Sequence, residues 1–148
     1  MKLPPNQLVS EVVQRVSNAK TRDEKIAILR HYDTPALRSI LIWNFDDSVQ
    51  SDLPEGEVPY TPNDAPIGTE HSRIEHEWQK FNHFVKGVSN VTKFKKEMMF
   101  VQLLEALHSS DAELLCLMKD KQIHKRYKLT KAVVQDAFPE IVFSSWFE

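Results

Sequence analysis

The sequence predicts an all-α fold: a compact bundle of about five to seven helices with one long acidic, proline-rich loop. Two observations support this prediction. Apolar residues recur at spacings of three and four along both halves of the chain, as they do on one face of a helix. Only three glycines occur in 148 residues, and four of the eight prolines lie between positions 54 and 66. Helix breakers are therefore concentrated in one place.

Three helices are predicted before the loop. The first runs through Ser17, and the second spans 22–31 with Thr21 as its N-cap. The third begins at Thr34, a cap residue, followed by Pro35 in the first turn, where its missing N–H costs nothing. Each has an apolar stripe at helical spacing, so all three should contribute to one core.

Periodicity is absent from 46–68, which we interpret as a loop. A loop of more than twenty residues is uncommon inside a compact domain, so this one is either functional or mobile. We treat 1–148 as a single helical domain that contains this loop and ends in an apolar C-terminal tail, 140–148.

Four helices are predicted after the loop. One starts at Thr69 and ends at Gly87, and the next runs from Thr92 to about Leu107. A short helix follows, opened by a capping box in which Ser110 is the cap and Glu113 its partner. The last begins with the cap Thr130 and is stopped by Pro139.

The composition points to an intracellular protein. The single cysteine, Cys116, excludes an internal disulfide, as expected in a reducing compartment. The N-terminus lacks an apolar stretch of signal-peptide length, and no apolar run approaches a membrane span. We therefore expect no membrane association.

The most suggestive metal-binding pattern consists of His71, Glu75, His76, Glu77 and His83. On an ideal helix His71 and His76 point about 140° apart, so the side chains do not converge. The zinc-protease pattern also requires a histidine four residues after His76, which is missing. We interpret the group as the polar face of a helix and predict neither a metal nor a cofactor.

No nucleophilic or phosphate-binding motif is evident either. Cys116 stands in a leucine-rich segment without the basic neighbour that lowers a thiol pKa, so we interpret it as a core residue. Three scattered glycines cannot form a glycine-rich phosphate loop. We predict that the chain is not an enzyme.

Charge is distributed unevenly although the formal net charge is only −2. Positions 46–77 hold nine acidic residues and a single basic one, Arg73. Positions 119–131 hold six basic residues and a single acidic one, Asp120. This second stretch is a candidate nucleic-acid surface with Tyr127 available to stack on a base, or else a solvated connector. Its candidate residues are Lys119, Lys121, Lys125, Arg126, Tyr127, Lys128 and Lys131.

A candidate protein-binding surface combines the acidic loop with aromatic residues on short segments. Such aromatic groups can dock in the groove of a partner, or they can fold back onto the domain. The candidate residues are Asp46, Asp47, Glu55, Glu57, Tyr60, Trp146 and Phe147.

Several stretches of the sequence resemble a family of small proteins encoded by T4-like marine phages of the cyanophage and pelagiphage type. These stretches are 39–49, 53–60, 99–107, 112–121 and 127–139. The resemblance extends to about Phe143 and carries no known site residues. It implies a viral protein that acts in the cytoplasm of the infected bacterial host.

We therefore expect a non-enzymatic phage accessory protein that binds a component of the phage or host replication or transcription machinery. This expectation rests on association, since small phage proteins commonly attach to such machinery. One alternative is direct DNA or RNA binding through 119–131. Another is a minor structural protein of the virion.

Overall fold

A computed structural model describes residues 3–63, 66 and 72–141, and it confirms the all-α prediction. The described residues form eight α-helices and one 3₁₀ helix, with no strand among them. The α-helices are α1 Val9–Asn18, α2 Arg22–His31, α3 Pro35–Phe45, α4 Ile74–Glu77, α5 Lys93–Ala106, α6 Ser109–Lys119, α7 Ile123–Arg126 and α8 Lys131–Ala137. The 3₁₀ helix, Trp78–Phe84, directly follows α4. The total slightly exceeds the predicted number because the single turn α7 was not predicted, and because the predicted helix that ends at Gly87 is divided into α4 and the 3₁₀ helix.

The predicted threonine caps are confirmed. The hydroxyl oxygens of Thr21, Thr34 and Thr130 each accept a hydrogen bond from the backbone N–H three residues later, at 3.2–3.3 Å. Thr92 does the same at the start of α5. Each threonine pairs one of the N–H groups that a helix terminus leaves without a partner.

Two predictions about helix ends are wrong. The cap of α6 is His108, whose Nδ1 accepts from the N–H of Ser110 at 3.1 Å, while Glu113 pairs with Arg126 instead of closing a capping box. The helix predicted to end at Gly87 is in fact α4 followed by the 3₁₀ helix, which ends before Val85. Its predicted start at position 69 lies outside the described residues.

The core is built around α3 and α6. Helix α3 packs against α6, α4 and the 3₁₀ helix, and α6 also contacts α1 and α5, while α2 lies between α1 and α8. The rings of Phe84 and Phe100 meet edge to face with centroids 5.3 Å apart, and Trp43 contacts Phe81 in the same manner. None of the described helices has the length and apolarity that crossing a bilayer requires.

Candidate functional site

The loop lies across the helices over the part that the structure describes. Val49 and Leu53 are buried in the main core. The N–H of Asp52 donates to the carbonyl of Phe84 at 2.8 Å, and that of Lys86 donates to the carbonyl of Gln50 at 2.7 Å. These bonds attach the first part of the loop to the end of the 3₁₀ helix.

A buried lysine of α5 holds the same part of the loop. Only 2 % of Lys96 is exposed, and its Nζ lies 2.8 Å from Oδ2 of Asp52 and 3.4 Å from the carbonyl oxygen of Ser89. The hydrogen bond from Lys96 lowers the pKa of Asp52 below its usual value, against the effect of burial. A buried ammonium needs such partners because its desolvation is costly.

A second buried lysine, at the end of α6, holds the middle of the loop. Lys119 is 3 % exposed, and its Nζ donates to the carbonyl oxygens of Pro54 at 2.6 Å and Gly56 at 3.0 Å. It also donates to Oδ1 of Asp120 at 2.7 Å. These three acceptors use the three N–H donors of the ammonium group.

Further contacts hold both ends of the described loop. Lys121 donates to the carbonyl oxygens of Trp43 and Asp46, and burial lowers its pKa. At the other end, Oε2 of Glu105 accepts from the N–H of Thr61 at 2.8 Å. The loop is thus attached at its start, in its middle and at its far end.

An apolar groove of about 530 Å³ opens between the loop and α5. Phe94, Met98 and Val101 form one stripe along the helix at spacings of four and three. Phe94 is 71 % exposed and Met98 is 47 % exposed, which makes them two of the most exposed large apolar side chains described. The groove is lined by Leu53, Pro54, Glu57, Val58, Pro59, Phe94, Glu97, Met98, Phe100, Val101, Gln102, Glu105 and Lys119.

The charged groups that line the groove are mainly acidic. Glu57 comes from the loop, and Glu97 and Glu105 come from α5. Among the described residues of the lining the only cation is Lys119, whose donors already bind the loop and Asp120. Among the described contacts Glu57 and Glu97 form no ion pair. The groove therefore combines an apolar floor with unneutralised carboxylates.

The candidate protein-binding residues are divided by the structure. Asp47, Glu55 and Glu57 are exposed, and only Glu57 lines the groove. Asp46 is fully buried, and its Oδ1 accepts from the N–H and hydroxyl of Ser48, so we no longer regard its side chain as part of an accessible surface. Tyr60 is half-buried against the core. Positions 146 and 147 lie outside the described residues.

The candidate nucleic-acid residues do not form one surface. Tyr127 is 4 % exposed and packs in the core, so its ring is not accessible for stacking. The ammonium groups of Lys119 and Lys121 bind protein carbonyls, as described above, and Arg126 pairs with Glu113 at 2.8 Å. The side chains that face solvent belong to Lys125, Arg126, Lys128 and Lys131.

The residues of the histidine-rich segment serve local contacts. Glu77 accepts from the hydroxyl of Ser72 at 2.6 Å and pairs with Lys80. His83 lies 3.3 Å from the hydroxyl of Ser89, and His71 is outside the described residues. Within 3–63, 66 and 72–141 no three His, Cys, Asp or Glu side chains are grouped so as to hold a metal ion.

Cys116 is half-buried, and burial raises the pKa of its thiol to about 11. The thiol is therefore protonated at neutral pH, which is unfavourable for a nucleophile because the thiolate is the reactive form.

Sequence reasoning did not identify the groove. The signal was present in α5, because Phe100, Leu103 and Leu104 already supply a core stripe while Phe94 and Met98 form a second one. A helix that is apolar on more than one side contacts something on each side. The buried lysines gave no local signal, because the loop acceptors they bind lie 44 to 65 residues away in sequence.

Comparison with known proteins identifies a family for the chain but no activity. The model of DUF6433, a family of unknown function, matches residues 12–125. No curated protein and no solved structure matches. The matched range contains the whole groove and both buried lysines, and it ends before Arg126.

Proposed function

This chain belongs to the DUF6433 family, whose function is unknown, and we propose that it is a non-enzymatic accessory protein of a T4-like phage. It acts in the cytoplasm of the infected bacterial host by binding a protein of the phage or host replication or transcription machinery. The phage origin rests on the sequence resemblance described above. The mode of action rests on the groove.

The observation that carries this proposal is the exposed apolar stripe of α5. Phe94 and Met98 expose large side chains beside a loop that is fastened to the fold by Lys96 and Lys119. A contiguous apolar surface bordered by polar groups marks an interaction site in many proteins. Large side chains in such a site dominate binding energies.

The lining favours a protein over a small metabolite. Small-molecule sites carry a few converging polar groups that orient the ligand. Here the one buried polar side chain among the described residues of the lining, Lys119, has all three donors engaged by the loop and by Asp120. What the groove offers is apolar surface, which suits the side chains of a protein segment.

The test compares proteins captured from infected cells by three forms of the chain. We expect the wild type and Val88→Ser to retain the same partner, and the double variant Phe94→Ser/Met98→Ser to lose it. Val88 is the matched control because it is 43 % exposed and does not line the groove. The partner is identified by mass spectrometry, and its binding is repeated with purified proteins.

Two results would overturn the proposal. One is equal retention of the partner by the groove variant and the control. The other is a purified partner that has no part in replication or transcription.

A further inference from the structure

We propose that the occupant of the groove is a basic segment of a partner protein, with two or three large apolar side chains flanked by lysine or arginine. This inference rests on the proposed function and specifies the chemistry of the partner.

We infer the apolar side chains of the segment from the apolar residues that line the groove. Phe94, Met98 and Val101 line one wall, and Leu53 and Val58 of the loop line the other. From 94 to 105 the helix extends about 17 Å, the length of three helical turns. A volume of about 530 Å³ is comparable with pockets that enclose several large groups.

The basic part follows from the carboxylates beside that floor. Glu57 is exposed, Glu97 is half-exposed, and neither forms an ion pair within the described part of the chain. Glu105 is exposed as well, although one of its oxygens holds the loop. Complementary charges steer association and select among partners of similar apolarity. An acidic segment would be repelled from this site.

Lysines at the start of α5 do not cancel this potential in the groove. The Nζ of Lys93 lies 4.0 Å from Oδ1 of Asp52, so the loop partly compensates the charge of Lys93. Lys95 is exposed but does not line the groove. The groove itself therefore remains acidic, which also disfavours nucleic acid, whose phosphates need cations.

Charge distinguishes the proposed partner from a second copy of this chain. Positions 142–148 are rich in aromatic residues and would suit the apolar floor. They contain no lysine or arginine, however, and they carry Glu148. Such a segment would bring a carboxylate towards Glu57 and Glu97. Complementarity thus disfavours positions 142–148 of a second copy and favours a basic segment of a partner protein.

The experiment measures fluorescence anisotropy of three labelled synthetic peptides with the full chain. The first carries two phenylalanines and one leucine flanked by lysines. The second has glutamate in place of every lysine, and the third keeps the lysines but has serine in place of every apolar residue. We expect the first to bind at least about tenfold more tightly than either of the others.

Variants of the protein assign the binding to the groove. We expect Glu57→Gln/Glu97→Gln to weaken binding of the first peptide about five- to tenfold, since two attractive charges are lost. Phe94→Ser should abolish it. Asp23→Asn is the control. Asp23 is exposed on α2 and does not line the groove, so this substitution removes a carboxylate without changing the site.

The outcomes separate this inference from the proposed function. Equal or tighter binding of the glutamate peptide, or no binding of any peptide, would overturn the basic occupant. The proposed function would still stand if Phe94→Ser/Met98→Ser lost its partner in infected cells. If that capture were also unchanged, both proposals would fail.

Discussion

The acidic loop and the basic stretch 119–131 have opposite charges in the sequence, and each supplied residues to a candidate binding surface. In the structure they meet. Lys119 and Lys121 bind carbonyl oxygens of the loop and of its junction with α3, while the remaining basic side chains point to solvent. Part of each region thus lies in their mutual contact, which we call the joint: Lys119 and Lys121 with the carbonyl groups of Pro54, Gly56 and Asp46. The rest of each region is exposed.

The two regions are in contact, but their contact is not mainly a pairing of opposite charges. The lysines of the joint bind mainly backbone carbonyls, at Pro54, Gly56 and Asp46, rather than the carboxylates of the loop. Glu55 and Glu57 therefore keep their charge at the surface. The charge totals of the two regions did not indicate that they meet, nor which of their groups would do so.

The largest expected effect is on the joint. Lys119→Met leaves two carbonyls and the carboxylate of Asp120 without their donor, so we expect the free energy of unfolding to fall by about 2–4 kcal/mol. Urea denaturation measures the change. Lys125→Met is the matched control, because Lys125 is exposed, and should stay within about 0.5 kcal/mol. Similar free energies of unfolding for the two variants would contradict the claim that Lys119 stabilises the fold by holding the loop.

A somewhat smaller effect is expected at the other fastening of the loop. Lys96→Met leaves the half-buried Asp52 carboxylate without its ammonium partner and should lower the free energy of unfolding by about 2–3 kcal/mol. Adding Asp52→Asn to that variant removes the uncompensated charge, so part of the loss should be recovered. A double-mutant cycle measured by urea denaturation yields the coupling. A coupling near zero would show that the pair does not hold the loop.

The same pair predicts a pH dependence. The pKa of Asp52 is lowered in the folded chain, so its carboxylate stabilises the fold. This stabilisation is complete above about pH 4, which is the pKa of an aspartate in the unfolded chain. It is lost as pH falls through the lower folded pKa. We expect Asp52→Asn to flatten the fall in stability on acidification, with Asp23→Asn, at an exposed site on α2, as the control. Parallel acid curves for Asp52→Asn and the wild type would refute this.

The smallest expected effect concerns the solvent-facing basic side chains and tests the nucleic-acid alternative. If DNA binds through 119–131, the basic side chains of this stretch that face solvent are Lys125, Arg126, Lys128 and Lys131. The slope of log affinity against log salt should then be no steeper than about −4. A slope near −6 would mean that cations besides these four contact phosphates, which would contradict binding through this stretch alone. No retardation even at low salt would exclude this alternative.

Local rules predicted most of the helices. Thr21, Thr34 and Thr130 begin helices where capping chemistry places them. These rules failed at the predicted helix that ends at Gly87, because 74–84 form one α-helical turn followed by a 3₁₀ helix and apolar spacing does not distinguish the two helix types. The sequence also suggested a long loop, but its attachment depends on side chains from distant helices.

The candidate site was harder to predict than the fold. A lysine is normally a surface residue, so nothing local marks Lys96 or Lys119 as buried. Conversely, Phe94 and Met98 look like core residues in the sequence but are exposed. Both errors have one cause: burial depends on the neighbours in space, and the loop that provides them is the least regular part of the chain.

The fastening of the loop also determines where the entropy of binding is lost. The attachments at Asp52, Gly56 and Thr61 divide the described loop into spans of only a few residues, which have few conformations left to lose. A partner that enters the groove therefore meets a wall that is already ordered. The conformational entropy cost of association falls on the partner's own segment, so affinity should rise with how far that segment is ordered before it binds.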